Sequence, residues 1–129
     1  MEQGSVRLTG SEWSILECLW EESPQTVMQL VSRMTEKTGW AKSTTITTLR
    51  RMEEKGLVHC EILGKAKHYT AAVDQEEAEI EETRSFLNRV YRGSVGLMMS
   101  AMAERQELSR EEIAELYAIL QRAEEGRHD

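Results

Sequence analysis

Residues 26–56 read TVMQLVSRMTEKTGWAKSTTITTLRRMEEKG, two short amphipathic segments joined by a polar link that contains glycine. In the first, Val27, Leu30, Val31 and Met34 recur at the i, i+3, i+4, i+7 spacing of one helix face. Thr26 followed by Gln29 supplies the reciprocal cap that satisfies amide groups orphaned at a helix start. The stretch Thr38 to Lys42 carries loop chemistry. The second segment, Ser43 to Lys55, contains the β-branched run Thr44, Thr45, Ile46, Thr47 and Thr48, whose intrinsic preference leans away from helix. A helix is nevertheless expected, because Thr45, Thr48, Leu49 and Met52 share one face and Gly56 stands where a C-cap would end it. Ser43, Thr47, Arg50 and Arg51 then lie broadly opposite.

Upstream, Thr9 and Glu12 repeat the capping pattern before Trp13, Leu16 and Trp20, with Ile15 and Leu19 beside them, so a first helix precedes the pair. Glu21 to Pro24 reads as a loop. Downstream, Leu57 to Leu63 and Ala66 to Ala72 flank Gly64-Lys65, the pattern of a β-hairpin with a glycine-containing turn. The order is helix, helix, helix, hairpin. Asp74/Glu77 and Ser109/Glu112 mark two further helix starts. Ile80, Leu87, Val90 and Tyr91 share a face, Gly93-Ser94 suggests a break, Leu97, Met98, Ala101 and Met102 continue an apolar stripe, and Ile113, Leu116, Tyr117 and Leu120 form another. The run Glu76 to Glu82 is a solvated first helical turn favoured by the helix dipole.

The expected fold is therefore mainly α with a small β-hairpin. Residues 1–73 form a winged helix-turn-helix domain and residues 74–129 a helical domain. Only about fifty residues cannot easily bury such stripes alone. Packing against a second copy solves this, with Phe86, Leu87, Val90, Tyr91, Leu97, Met98, Met102, Ile113, Leu116 and Leu120 as the expected contacts. Folding back on the first part is the alternative.

The chain has 129 residues, 40% hydrophobic and 30% charged, which fits one soluble domain or two small subdomains and excludes a large multidomain enzyme. Apolar runs such as Gly96 to Met99 are far short of the roughly 20 residues of a membrane span. Met1 to Gly10 has neither the basic start nor the apolar stretch of an export signal. A cytoplasmic protein without a membrane role is expected. Cys18 and Cys60 are far apart and lack CxxC spacing, as expected of reduced core thiols.

The sequence offers no catalytic constellation. His59, His68 and His128 lack HExxH or neighbouring ligand spacing, and neither GxSxG nor GxxxxGK[ST] occurs. His59 and His68 read as strand histidines on the surface, and a metal site needs more ligands than that pair. Met98, Met99 and Met102 read as core or interface filling. No catalytic residue, metal or cofactor is assigned. Trp13, Trp20 and Trp40 are taken as helix-packing residues because of their large apolar area.

The net charge of −7 argues at first against a nucleic-acid partner. The average conceals a division. Residues 1–75 hold nine Lys+Arg against ten acids, whereas residues 76–129 hold seven Arg against thirteen. Between Lys37 and Tyr69 seven basic residues face three glutamates. In a helix-turn-helix the second helix enters the major groove and uses residues near its N-terminus on base edges. Ser43, Thr44, Thr47 and Arg51 suit reading or positioning, with Ile46 able to touch a thymine methyl. Lys42 and Arg50, with Lys65 and Lys67 at the hairpin tip, suit phosphates.

The pattern resembles the penicillinase and methicillin-resistance repressors and their copper-responsive relatives, a family of winged-helix transcription regulators. The matching residues are Leu8-Thr9-x-x-Glu12-Trp13, Leu19-Trp20, Trp40, Thr44-x-x-Thr47-x-Leu49-x-Arg51-Met52-x-x-Lys55-Gly56, Gly64-Lys65 and Tyr69. Phe86-Leu87, Val90-Tyr91-x-Gly93-Ser94 and Leu108-Ser109-x-Glu111-Glu112-Ile113-x-Glu115-Leu116 continue the match, which spans roughly residues 7–121. The resemblance implies a dimer whose later helices clasp the partner chain and whose winged helices occupy the halves of a palindromic operator. Better-known members often have basic residues where this recognition helix has Ser43 and Ile46. Those repressors are cut by a regulatory protease at an Asn-Phe bond, and the matching place here is Ala101-Met102. The copper-responsive branch ends in paired CxC motifs, and none follows Met102. The expected function is a dimeric repressor on double-stranded operator DNA, regulated by a signal, a sensor or a protease. The alternative is a winged-helix protein-interaction module without sequence-specific DNA binding.

Overall fold

The computed structural model describes residues 8–127; the residues before Leu8, part of the stretch read above for an export signal, and His128 lie outside these. Helix α1 (Gly10–Glu21) starts as the capping pattern requires. The Glu12 amide donates to Thr9 Oγ1 at 3.1 Å, and the Glu12 carboxylate accepts from the Thr9 amide at 2.9 Å. Thr26 and Gln29 build the same box at the start of α2 (Val27–Thr38).

Helix α3 (Lys42–Lys55) forms despite its threonine run, and it has no side-chain cap at Ala41. Tertiary burial decides it: Thr45, Leu49 and Met52 are almost fully removed from water on its inner face. Thr48 Oγ1 donates to the Thr44 carbonyl at 2.8 Å, an outlet that a helix offers a hydroxyl. The Thr45 hydroxyl has no partner among the described residues, a burial cost of about 1–3 kcal/mol that the surrounding packing offsets. Gly56 ends α3 in the left-handed region at φ 79°, and the Leu57 amide reaches back to the Met52 carbonyl at 2.8 Å.

Strands β2 (Val58–Leu63) and β3 (Ala66–Ala71) pair antiparallel, with Leu63 opposite Ala66, so Gly64-Lys65 is a two-residue turn. Gly64 takes the positive φ of 67° that such a turn needs at its first central position. The hairpin is part of a three-stranded sheet: β1 (Gln25–Thr26) pairs with the other side of β3, placing Gln25 opposite Tyr69 and Thr26 opposite His68. The sequence pattern carries no sign of β1, because a strand of two residues has no alternation.

Ile15, Leu16 and Leu19 of α1, Leu30 and Met34 of α2, Leu49 and Met52 of α3, and Leu57, Val58 and Tyr69 of the sheet make one core. Trp20 and Trp40 pack half-buried on its margin. Trp20 Nε1 donates to the Val73 carbonyl at 2.9 Å, and Trp13 meets Trp20 edge-on at 5.4 Å between ring centres. Cys18 is buried and Cys60 half-buried, both as free thiols, and burial pushes the Cys18 thiol above its ordinary range.

The chain continues through α4 (Gln75–Tyr91), α5 (Val95–Glu104) and α6 (Arg110–Glu125). Ser109 and Glu112 make a third full capping box, while Asp74 caps α4 one way only, accepting from the Glu77 amide at 3.1 Å. Two compact units, Met1–Thr83 and Arg84–Asp129, meet within α4. The first contains the core described above and the buried Ala78. In the second, neither α5 nor α6 buries a residue, and Val95, Leu97, Ile113, Tyr117, Ile119 and Leu120 are all exposed. Phe86 and Tyr91 make an edge-on contact at 5.9 Å. Among the described residues no helix is long and apolar enough to cross a membrane.

Candidate nucleic-acid interface

The link between α2 and α3 is three residues, 39–41. Gly39 opens it at φ 78°, and Thr35 Oγ1 donates to the Trp40 carbonyl at 2.9 Å while the Trp40 amide donates to Thr38 Oγ1 at 3.3 Å. With the Trp40 ring packed against the core, these bonds fix where α3 departs. Because α3 seats Thr45, Leu49 and Met52 inward, Ser43, Thr44, Thr47, Arg50 and Arg51 are exposed, as is Lys42 at its first position. Thr48 spends its hydroxyl on its own helix, whereas those of Ser43, Thr44 and Thr47 have no hydrogen-bond partner among the described residues.

On the hairpin Lys65 occupies the turn, and Lys67 stands opposite Ile62, on the sheet face that carries Tyr69 further along. Both lysines are exposed. His59 and His68 lie diagonally on the other face, with Glu61 directly opposite His68. Among the described residues no group of three His, Cys, Asp or Glu is placed to hold a metal ion.

The fold sorts the basic residues into two sets. Lys37 Nζ lies 2.8 Å from Glu17 Oε1, and Lys55 Nζ lies 2.5 Å from Glu12 Oε2. Arg33 pairs with Glu21 and, at 3.7 Å, with Glu22. Lys42, Arg50, Arg51, Lys65 and Lys67 make no ion pair among the described residues. Those five are the cations assigned to DNA from sequence. The local excess of positive charge therefore resides on the outer side of α3 and on the wing.

Glu12 shows what the first set does. Burial alone would raise its carboxyl, but the Lys55 ammonium and the hydrogen bonds from Thr9 outweigh that and hold it below the ordinary carboxylate value. The unfolded chain thus takes up this proton first as pH falls. The pair's contribution is complete above the ordinary carboxylate range and is lost as pH drops through the folded value. Glu12→Gln keeps the cap geometry and removes the charge. The melting temperature of wild type is expected to exceed that of Glu12→Gln near pH 7, and the gap to narrow as pH falls below the ordinary carboxylate range. A gap constant across that range in thermal melts would mean the pair adds nothing to stability.

The structure adds residues that the sequence reading passed over. Glu54 is exposed on the same side of α3 as Ser43, Thr47 and Arg50, and the spacing that placed those three could have placed it too. In the second unit Phe86, Leu87, Val90 and Tyr91 lie on α4, Leu97, Met98, Ala101 and Met102 on α5, and Ile113, Leu116 and Leu120 on α6, each exposed or half-buried. Val95 and Ile119 are exposed as well, and Tyr117, at 74%, is the most open large apolar side chain of this unit.

Comparison with known proteins is consistent over almost the full length. A family model described as penicillinase repressor matches residues 8–122. The penicillinase repressor of Bacillus licheniformis is 29% identical over 115 residues, covering 89% of this chain and 90% of that protein. The methicillin resistance regulatory protein MecI of Staphylococcus aureus strain N315 is 22% identical over 120 residues, 93% of this chain and 98% of its own. Among solved structures, the solution structure of monomeric Bacillus licheniformis BlaI in complex with the blaP half-operator superposes with a TM-score of 0.51 at 19% identity. It covers 56% of this chain and 88% of that one, and at that identity it shows the shared winged-helix fold.

Proposed function

The chain belongs to the penicillinase repressor family, a family of transcriptional repressors and not of enzymes, and from that premise we propose that it represses transcription as a homodimer bound to a palindromic DNA operator. The winged helix of residues 1–73 holds the DNA and residues 74–129 join the two copies. DNA as partner puts its work in the cytoplasm. The observation that carries the reading is the set of five cations on α3 and the wing that make no ion pair among the described residues, beside three hydroxyls with no hydrogen-bond partner there, in a chain whose net charge is −7. Ser43, Thr44, Thr47 and Arg51 read or position bases, and Lys42, Arg50, Lys65 and Lys67 hold phosphates.

The exposed apolar surface of α4, α5 and α6 supports the second copy, since a helix that buries nothing in its own chain gains little stability from packing. Two copies set two recognition helices into successive major-groove faces, about 34–36 Å apart or a multiple of it. An inducing signal releases the repressor. If a sensor acts through a protease at Ala101-Met102, α5 must open first, because that bond lies inside the helix and the Ala101 carbonyl accepts from the Arg105 amide at 3.3 Å.

The test is selection from a library of randomised duplexes, followed by anisotropy titration of the enriched duplex and a scrambled version at two salt concentrations. Enrichment of an inverted repeat is expected, with binding that weakens steeply as salt rises, by about 0.9 in logarithmic slope for each phosphate contacted. Failure to enrich any sequence favours an interaction module that binds protein and not DNA.

A further inference from the structure

Glu54 lies on the side of α3 proposed to face DNA, in its last turn. At about 100° per residue, Ser43, Thr47, Arg50 and Glu54 fall in one narrow stripe of α3, opposite Thr45, Leu49 and Met52. By the helix rise Glu54 stands about 10 Å beyond Thr47 along the axis. It is exposed, and among the described residues it makes no ion pair although Arg50 is one turn before it. In the same unit Glu12, Glu17, Glu21 and Glu22 each meet a cation, whereas Glu36, Glu53 and Glu61 are exposed and, like Glu54, make no ion pair among the described residues; of these four only Glu54 is on the outer stripe of α3. An uncompensated carboxylate thus remains on the helix face that has to approach a polyanion.

That placement costs affinity on most duplexes. Phosphates repel a carboxylate, and so do the guanine O6 and N7 and thymine O4 acceptors of the major groove; amino groups donate to it, cytosine N4 being the usual partner of a glutamate. We propose that Glu54 is a specificity-determining residue, one that repels DNA lacking a base amino group at its position and tolerates or rewards DNA that offers a cytosine there. This rests on the DNA-binding reading above. It also gives an acid on a recognition helix a use: weak binding everywhere else is part of a high specificity ratio.

The experiment compares wild type, Glu54→Gln and Glu53→Gln on the duplex selected by wild type and on its scrambled version, at two salt concentrations. Glutamine keeps the size and the helix preference, and both positions are exposed, so the fold is unaffected. For Glu54→Gln, affinity for scrambled duplex is expected to rise about three- to tenfold. Affinity for the selected duplex is expected to rise less or to fall, so the preference drops at least about threefold, and the gain shrinks at higher salt. Glu53→Gln, off the stripe, leaves the preference unchanged. An unchanged preference in Glu54→Gln, whether both affinities rise together or neither moves, overturns the proposal, as does an equal effect of Glu53→Gln. A wild-type protein that prefers no duplex removes the DNA-binding reading itself, and the wild-type titration alone reveals that.

Discussion

Replacing Leu116 and Leu120 together by aspartate is expected to turn the protein into a monomer by sedimentation equilibrium at micromolar concentration. It should also lower affinity for a duplex carrying both half-sites by about a hundredfold or more. The reason lies in α6. Leu120 is 64% exposed and Leu116 only half-buried, so a carboxylate at either position keeps access to water within the chain itself. In a dimer the same positions would be buried, and an unpaired carboxylate is costly there. A dimer binds its second half-site at high effective concentration, and the loss of that linkage sets the size of the effect. Affinity for a duplex with one half-site should stay as it was. The melting of the winged-helix unit, whose core contains no residue of α6, should stay too. A double variant that sediments as wild type does would place the dimer contact elsewhere, and a wild type that is itself a monomer would remove it.

Arg50→Ala with Arg51→Ala is the second large effect. Each arginine is exposed on α3 and free of ion pairs among the described residues, so neither substitution costs stability through a lost contact. Each is expected to cost about 1–3 kcal/mol of binding, together about 30- to 10⁴-fold in affinity for the selected duplex. The two singles should differ in kind. Arg50→Ala should weaken binding to every sequence and reduce the salt slope by about one, as a phosphate contact does. Arg51→Ala should relax the preference for one base pair, and Arg51→Lys should restore charge but only part of that preference, because the planar fork holds a two-point bond to a guanine edge more rigidly than a flexible ammonium does. Titrations in which the double variant binds as tightly as wild type would mean that α3 presents another side to DNA.

Most of the architecture was legible because its signals are local. Thr9/Glu12, Thr26/Gln29 and Ser109/Glu112 each close a hydrogen-bonded box within four residues, so a dipeptide pattern suffices to find three helix starts. Gly64-Lys65 between two alternating runs marks the turn for the same reason. The candidate DNA residues were legible because helical periodicity separates Thr45, Leu49 and Met52 from Ser43, Thr47, Arg50 and Arg51.

The residues a few positions apart are enough to fix the six helices and the hairpin in their order, three capping boxes, the outer side of α3 and the apolar stripes of α5 and α6. The helix over the threonine-rich segment is expected from its one-faced spacing, and burial of Thr45, Leu49 and Met52 supplies the stability that outweighs a propensity difference of about 0.7 kcal/mol per residue or less. Two features arise only from tertiary contacts. Such contacts turn a hairpin into a three-stranded sheet by laying Gln25 beside Tyr69. And they choose which cations remain available: Lys55 is withdrawn by a glutamate 43 residues away and Lys37 by one 20 residues away, pairings no window of sequence contains. A charge count sees seven basic residues between Lys37 and Tyr69, whereas the fold leaves five of them without an ion pair among the described residues, because an ion pair depends on distance in space and a count depends on distance along the chain.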